Sequence, residues 1–225
     1  MTQLDPMVAR RIIEQVASTG QPPQVGLEYF TSGLDPYMSV LENDYFKSYL
    51  REGGSGFKLV VGVYGGGKTH FMYCVRNLAW AHNYATAYVS LNPSDSPFHR
   101  LEAVYRAIAR SLTPPLSTEE LLSGYEEGMA SFIRIWFAEV QRRLANEGWE
   151  GDELRDELIR ASRRLEGLES LSFARAVGAA FRALIDGQEE AFADICQWLT
   201  GEGYDRARHR PYGILQRVDK TTAFP

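Results

Sequence analysis

Phe57-Lys58-Leu59-Val60-Val61-Gly62-Val63-Tyr64-Gly65-Gly66-Gly67-Lys68-Thr69-His70-Phe71 is the stretch on which the fold turns. Its first five residues form a short apolar, β-branched run with Gly56 before it and Gly62 after it, which reads as a buried parallel strand. Gly62 to Thr69 then fits G-x-x-x-x-G-K-[ST] at every fixed position. Glycines there let backbone N–H groups turn inward around phosphate oxygens that a Cβ would obstruct. Lys68 is expected to place its ammonium between the β- and γ-phosphates of ATP or GTP, and Thr69 to give its hydroxyl to Mg²⁺. The N-terminus of the helix that follows adds positive partial charge beneath them. The candidate binding residues are therefore Gly62, Tyr64, Gly65, Gly66, Gly67, Lys68, Thr69 and His70, with Thr69 as the metal ligand. His70 falls in the first helical turn, where sensing the phosphates competes with simple packing. Tyr64, at the loop tip, suits packing over a nucleotide or against a helix.

Working outward, Phe71, Met72, Val75, Leu78 and Ala79 have helical spacing, and Ala85 to Leu91 reads as a second strand, closing a β-loop-α-β unit. Before the loop, Asp5-Pro6 opens a helix with an N-cap carboxylate and a proline at the first position, and Gly20 with Pro22-Pro23 stops it. Asp35-Pro36 repeats that start signal for a second helix ending near Leu50. Beyond Ser96-Pro97 the pattern is almost wholly helical. Leu101, Val104, Tyr105, Ile108 and Leu112 share a face, Thr113-Pro114-Pro115 ends that helix, and Ser117 with Glu120 predicts a capping box. Further helices are expected at Phe132–Leu144, Leu154–Leu165, Phe173–Ile185 and Ala191–Leu199. The fold class is thus α/β, a P-loop NTPase core with a partial parallel sheet and a large helical part. The expected organisation is an N-terminal helical segment (1–52), a nucleotide-binding core (53–112) and a helical region (113–225).

Composition narrows the class of partner. An apolar fraction of 44% and a charged fraction of 24% are those of a soluble globular chain, and 225 residues suffice for one substantial core with a helical appendage. A net charge of −5 argues against a broad cationic face for nucleic acid. Cys74 and Cys196 lie in apolar helical patterns without metal-ligand spacing and read as buried thiols. Met1–Arg11 mixes charges without a signal-peptide core, and no apolar stretch reaches membrane-spanning length, so a cytoplasmic location without membrane contact is expected.

A P-loop hydrolase normally holds a second carboxylate at the end of another buried strand, to support Mg²⁺ and orient the attacking water. Ala183-Leu184-Ile185-Asp186 comes nearest, but Phe181, Leu184 and Ile185 belong to a helical pattern. Asp219 lacks the apolar run, and Asp95 reads equally well as a turn or N-cap residue. The catalytic acid stays unassigned. With only two strands legible and the sequence stopping at Thr222-Ala223-Phe224-Pro225, the expectation is an N-terminal piece of a longer ATPase.

Arg10-Arg11-Ile12-Ile13 with Gly20-Gln21-Pro22-Pro23, then Gly62 to Phe71, then Val104-Tyr105-Arg106-Ala107-Ile108, resembles the bacterial P-loop ATP-binding proteins of the BREX phage-defence type. The family's loop usually has serine where Gly66 stands, a change that leaves the phosphate cradle intact. The resemblance implies an AAA-like ATPase acting against foreign DNA, with Lys68 and Thr69 as phosphate and Mg²⁺ ligands. It also implies other defence-system proteins as partners, and further strands and a DNA- or partner-contacting region beyond residue 225. A homo-oligomer is left open. Two other readings stand beside it: a small-molecule kinase, whose lid could draw on Arg106, Arg110, Arg142 and Arg143, and a non-catalytic nucleotide-binding interaction module.

Overall fold

A computed structural model of the chain describes residues 5–92, 94, 97–163 and 171–218. In chain order the elements are α1 (Pro6–Thr19), α2 (Asp35–Val40), α3 (Lys68–Ala81), β1 (Thr86–Ala87), α4 (Leu101–Arg110), β2 (Leu112–Thr113) and α5 (Thr118–Ser123). They continue as α6 (Met129–Asn146), α7 (Gly151–Arg163), α8 (Leu171–Ile185), α9 (Glu189–Leu199) and α10 (Arg206–His209). The chain divides into two compact units. One comprises the residues up to Thr86 together with Pro115–Tyr125, the other Ala87–Pro114 together with the residues from Glu126 onward.

In the first unit, local sequence chemistry sets the helix ends. The Asp5 carboxylate accepts from the Met7 amide at 2.7 Å, Pro6 takes the first helical position, and Gly20 closes α1 at φ 65°. Its amide donates to Val16 O at 3.0 Å, the left-handed exit that glycine makes without steric cost. The second start signal is displaced by one residue. Leu34 caps α2, and Asp35 sits inside the first turn, where its charge still favours the helix N-terminus. From Leu41 to Tyr49 the helix widens into π-helical turns, in which Leu50 N donates to Tyr45 O at 2.9 Å. The Ser48 hydroxyl supports the widening by donating to the carbonyls of Asn43 at 3.0 Å and Asp44 at 2.7 Å. Ser117 and Glu120 form the reciprocal capping box at the start of α5.

The parallel sheet expected from the sequence is corrected. Phe57–Val61 is not a strand, and its apolar side chains face outward, with Phe57 79%, Leu59 76% and Val61 83% exposed. Of the expected second strand only Thr86–Ala87 forms, and it pairs with Leu112–Thr113 in a two-stranded antiparallel sheet. The physical reason is pairing: β-branched residues favour an extended backbone, but a strand needs a ladder partner. Among the described residues no strand lies beside 57–61. The described fold is mostly helical.

The second unit carries the main core. α8 is rich in small residues, and Ala176, Ala179, Ala180 and Ala183 are all buried, so neighbouring helices approach closely. Phe181 fills the space between Trp136 and Phe137, with ring centroids 4.8 and 5.5 Å away in edge-to-face geometry. Phe192, Ile195, Trp198 and Leu199 complete the core from α9. Trp198 Nε1 donates to Gln216 O at 2.7 Å, which satisfies the indole and ties down the segment after α10. No described helix is long and apolar enough to cross a membrane.

Candidate functional site

The glycine-rich loop delivers the chain directly into α3, a 14-residue helix whose first residue is Lys68. Gly65 at φ 75° and Gly67 at φ 81° adopt the left-handed conformation that an L side chain resists, and Gly67 caps the helix. The Gly66 amide donates to Val63 O at 3.1 Å, making a tight turn over 63–66. A Cβ on Gly66 would lie 3.0 Å from that same oxygen, so a serine here requires a small shift of the turn. Around Gly65 and Gly67 the space is open.

Lys68 turns back across the loop. Its ammonium donates to Gly62 O at 2.9 Å and Val63 O at 2.7 Å, while its aliphatic stem lies about where a Gly62 side chain would point. The lysine charge, the Thr69 hydroxyl and the helix N-terminus are therefore gathered at one end of α3. Tyr64 is fully exposed at the loop tip and packs against no helix. This donor set suits an anion: an ammonium, backbone amides of a first helical turn, and glycines that let a ligand approach the main chain.

His70 faces the other way. Its Nε2 is 2.9 Å from Thr31 Oγ1, its ring lies 5.1 Å from that of Phe30, and Cys74 Sγ is 3.7 Å away one turn along. Burial lowers its pKa from the ordinary histidine value, favouring the neutral ring. His70 thus anchors α3 to the segment after Leu27–Tyr29. Thr31 and Phe30 were not legible as its neighbours, because nothing in the sequence spacing connects positions 39 residues apart. Further along α3, buried Arg76 donates to the Gln24 side chain at 2.8 Å and main chain at 2.9 Å, and lies 4.5 Å above the Trp80 ring.

Of the carboxylates weighed for catalysis, Asp186 follows the end of α8 and accepts from Arg155 at 2.6 Å, a structural ion pair. Asp95 and Asp219 lie outside the described residues. Among the described residues no group of three or more His, Cys, Asp or Glu side chains converges as a metal site. The arginines considered for a lid are Arg110, paired with Glu202 at 2.6 Å, Arg142, paired with Glu139 at 2.5 Å, Arg106, turned towards its own helix backbone at Glu102 O, and Arg143 on α6.

Fold and loop together define a predominantly helical protein with a glycine-rich, lysine-bearing loop leading into the N-terminus of a helix. The model of the BREX system ATP-binding protein BrxC/D family matches residues 5–225, and the chain belongs to that family. No curated protein and no solved structure matches the chain.

Proposed function

We propose that the chain binds Mg²⁺-ATP through Gly62–Thr69 and serves as the ATP-binding part of an AAA-like P-loop ATPase in defence against phage. The observation that carries this reading is the position of Lys68. It is the first residue of α3, and its ammonium is held over the loop by two main-chain carbonyls, so it can pass to phosphate oxygens without moving the helix. In this reading the Gly65–Thr69 amides surround the β- and γ-phosphates, Lys68 bridges them, and the Thr69 hydroxyl ligates the metal. Mg²⁺ would draw charge from the γ-phosphate, and this chain's own groups would hold that phosphate in place. The partners implied are the nucleotide and other proteins of the defence system.

Calorimetry with Mg²⁺-ATP on the wild type and on Lys68→Ala tests it. Loss of a charge-assisted contact of about 3 kcal/mol predicts roughly a hundredfold weaker binding, with unchanged circular dichroism. Equal affinity in the two proteins would overturn the assignment.

A further inference from the structure

The second unit contains a concavity of about 540 Å³ to which Arg100, Arg106 and Arg217 all contribute. We propose that it is a binding site for a small diphosphate-bearing ligand, separate from Gly62–Thr69.

Charge is the first argument. Six arginines of this unit, from Arg110 to Arg208, are ion-paired, and the other described ones have no carboxylate partner among the described residues; of the latter, Arg100, Arg106 and Arg217 are the three that line this one space. Among the described residues two carboxylates border the same space, Glu102 and Glu202. Glu202 is already held by Arg110 at 2.6 Å, and Arg110 lies outside the lining, so three guanidinium groups face one uncommitted carboxylate. In a chain of net charge −5, such a cationic concavity is a local reversal of the overall field.

Construction is the second argument, since the groups around the space are fixed. Tyr105, on α4, donates its hydroxyl to Leu199 O at the end of α9. Gly201, at φ 76°, brings the exit of α9 so close to α4 that a Cβ would meet Arg106 Cγ at 3.2 Å and the Tyr105 ring at 3.4 Å. On the far side, Trp198 Nε1 donates to Gln216 O at 2.7 Å and the Tyr204 hydroxyl to Leu215 O at 2.6 Å, pinning the segment that carries Arg217. Ile214, fully buried, anchors the same segment from below. Arginines mounted on held backbone lose less freedom on binding than arginines on a mobile surface.

Ligand class follows from both. Guanidinium forks match phosphate oxygens in bidentate geometry, and three of them exceed what a monoanion needs. The volume suits a diphosphate, with or without a nucleoside attached.

The test uses the full chain carrying Lys68→Ala, so that binding at the glycine loop is weakened and the arginine substitutions read the second site, with pyrophosphate and ADP as separate calorimetric titrants. Binding with a Kd below about 1 mM is expected, weakened at least tenfold by Arg106→Gln with Arg217→Gln and unaffected by Arg142→Gln on α6. Tighter binding of ADP than of pyrophosphate would show that the nucleoside belongs to the ligand, and equal binding that the diphosphate suffices. Should the double variant unfold, exposed Arg100→Gln reads the same site. No binding of either titrant to the Lys68→Ala protein, or binding indifferent to these substitutions, would overturn the proposal. The result is independent of the glycine-loop reading, which stands or falls on ATP binding by the wild type.

Discussion

Thr69 and Lys68 are neighbours, yet the chemistry assigned to them separates cleanly. A hydroxyl that ligates Mg²⁺ contributes only when the metal is present, whereas an ammonium on phosphate oxygens contributes with or without it. Thr69→Ala is therefore expected to weaken ATP binding about tenfold with Mg²⁺ and to leave it unchanged in a chelator, by calorimetry under both conditions. An equal loss in both would give the hydroxyl another role. A second residue-scale contrast concerns the two thiols. Burial pushes Cys196 up to about 12, keeping it protonated and unreactive at neutral pH, while Cys74 is only partly buried. Ellman's reagent at pH 8 should titrate Cys74 in the folded protein and both thiols in denaturant. Rapid modification of Cys196 in the folded state would contradict the packing around α9.

Among the elements, α8 stands to lose much from a single truncation. Phe181 is buried to 1% exposure between two aromatic rings from α6, so Phe181→Ala leaves a cavity that small neighbouring alanines cannot fill. A loss of about 3–5 kcal/mol in urea unfolding is expected, with ATP affinity unchanged wherever the protein remains folded. Helices such as this were legible because amphipathic spacing and end chemistry act within a few residues. Asp5-Pro6, Gly20 and the Ser117–Glu120 pair each state their own geometry. Asp35-Pro36 was legible to within one residue, since a carboxylate is accommodated both at the cap and in the first turn. Phe57–Val61 was not legible, because its composition reports an extended preference while pairing depends on what lies beside it. The loop motif was readable as a pattern, but the anchoring of His70 by Phe30 and Thr31 was not, as it arises from tertiary placement.

For the molecule as a whole, phosphoryl transfer requires more than a phosphate cradle. Positioned charge supplies most of that catalysis, and neither β1 nor β2 carries an acidic residue to hold Mg²⁺ and direct a water. Asp186, the best sequence candidate, is committed to Arg155. This chain is accordingly expected to bind ATP but to release phosphate at least a thousandfold below the ~10 s⁻¹ that is the median of ordinary enzymes, measured against Lys68→Ala as background. An ordinary, Lys68-dependent rate would contradict this and turn attention to Asp95 and Asp186.

The division into two units also bears on how the protein is made. The first unit includes Pro115–Tyr125, which emerge from the ribosome only after residues 87–114 of the second. The Arg11 guanidinium waits for its acceptor, Leu122 O, until α5 has been synthesised. At roughly 5–20 residues per second, the stretch from Thr86 to Tyr125 takes about two to eight seconds. Through that interval the glycine loop and α3 already exist as nascent chain while the unit that holds them is still missing a piece, a window in which the growing polypeptide is exposed to chaperones and proteases.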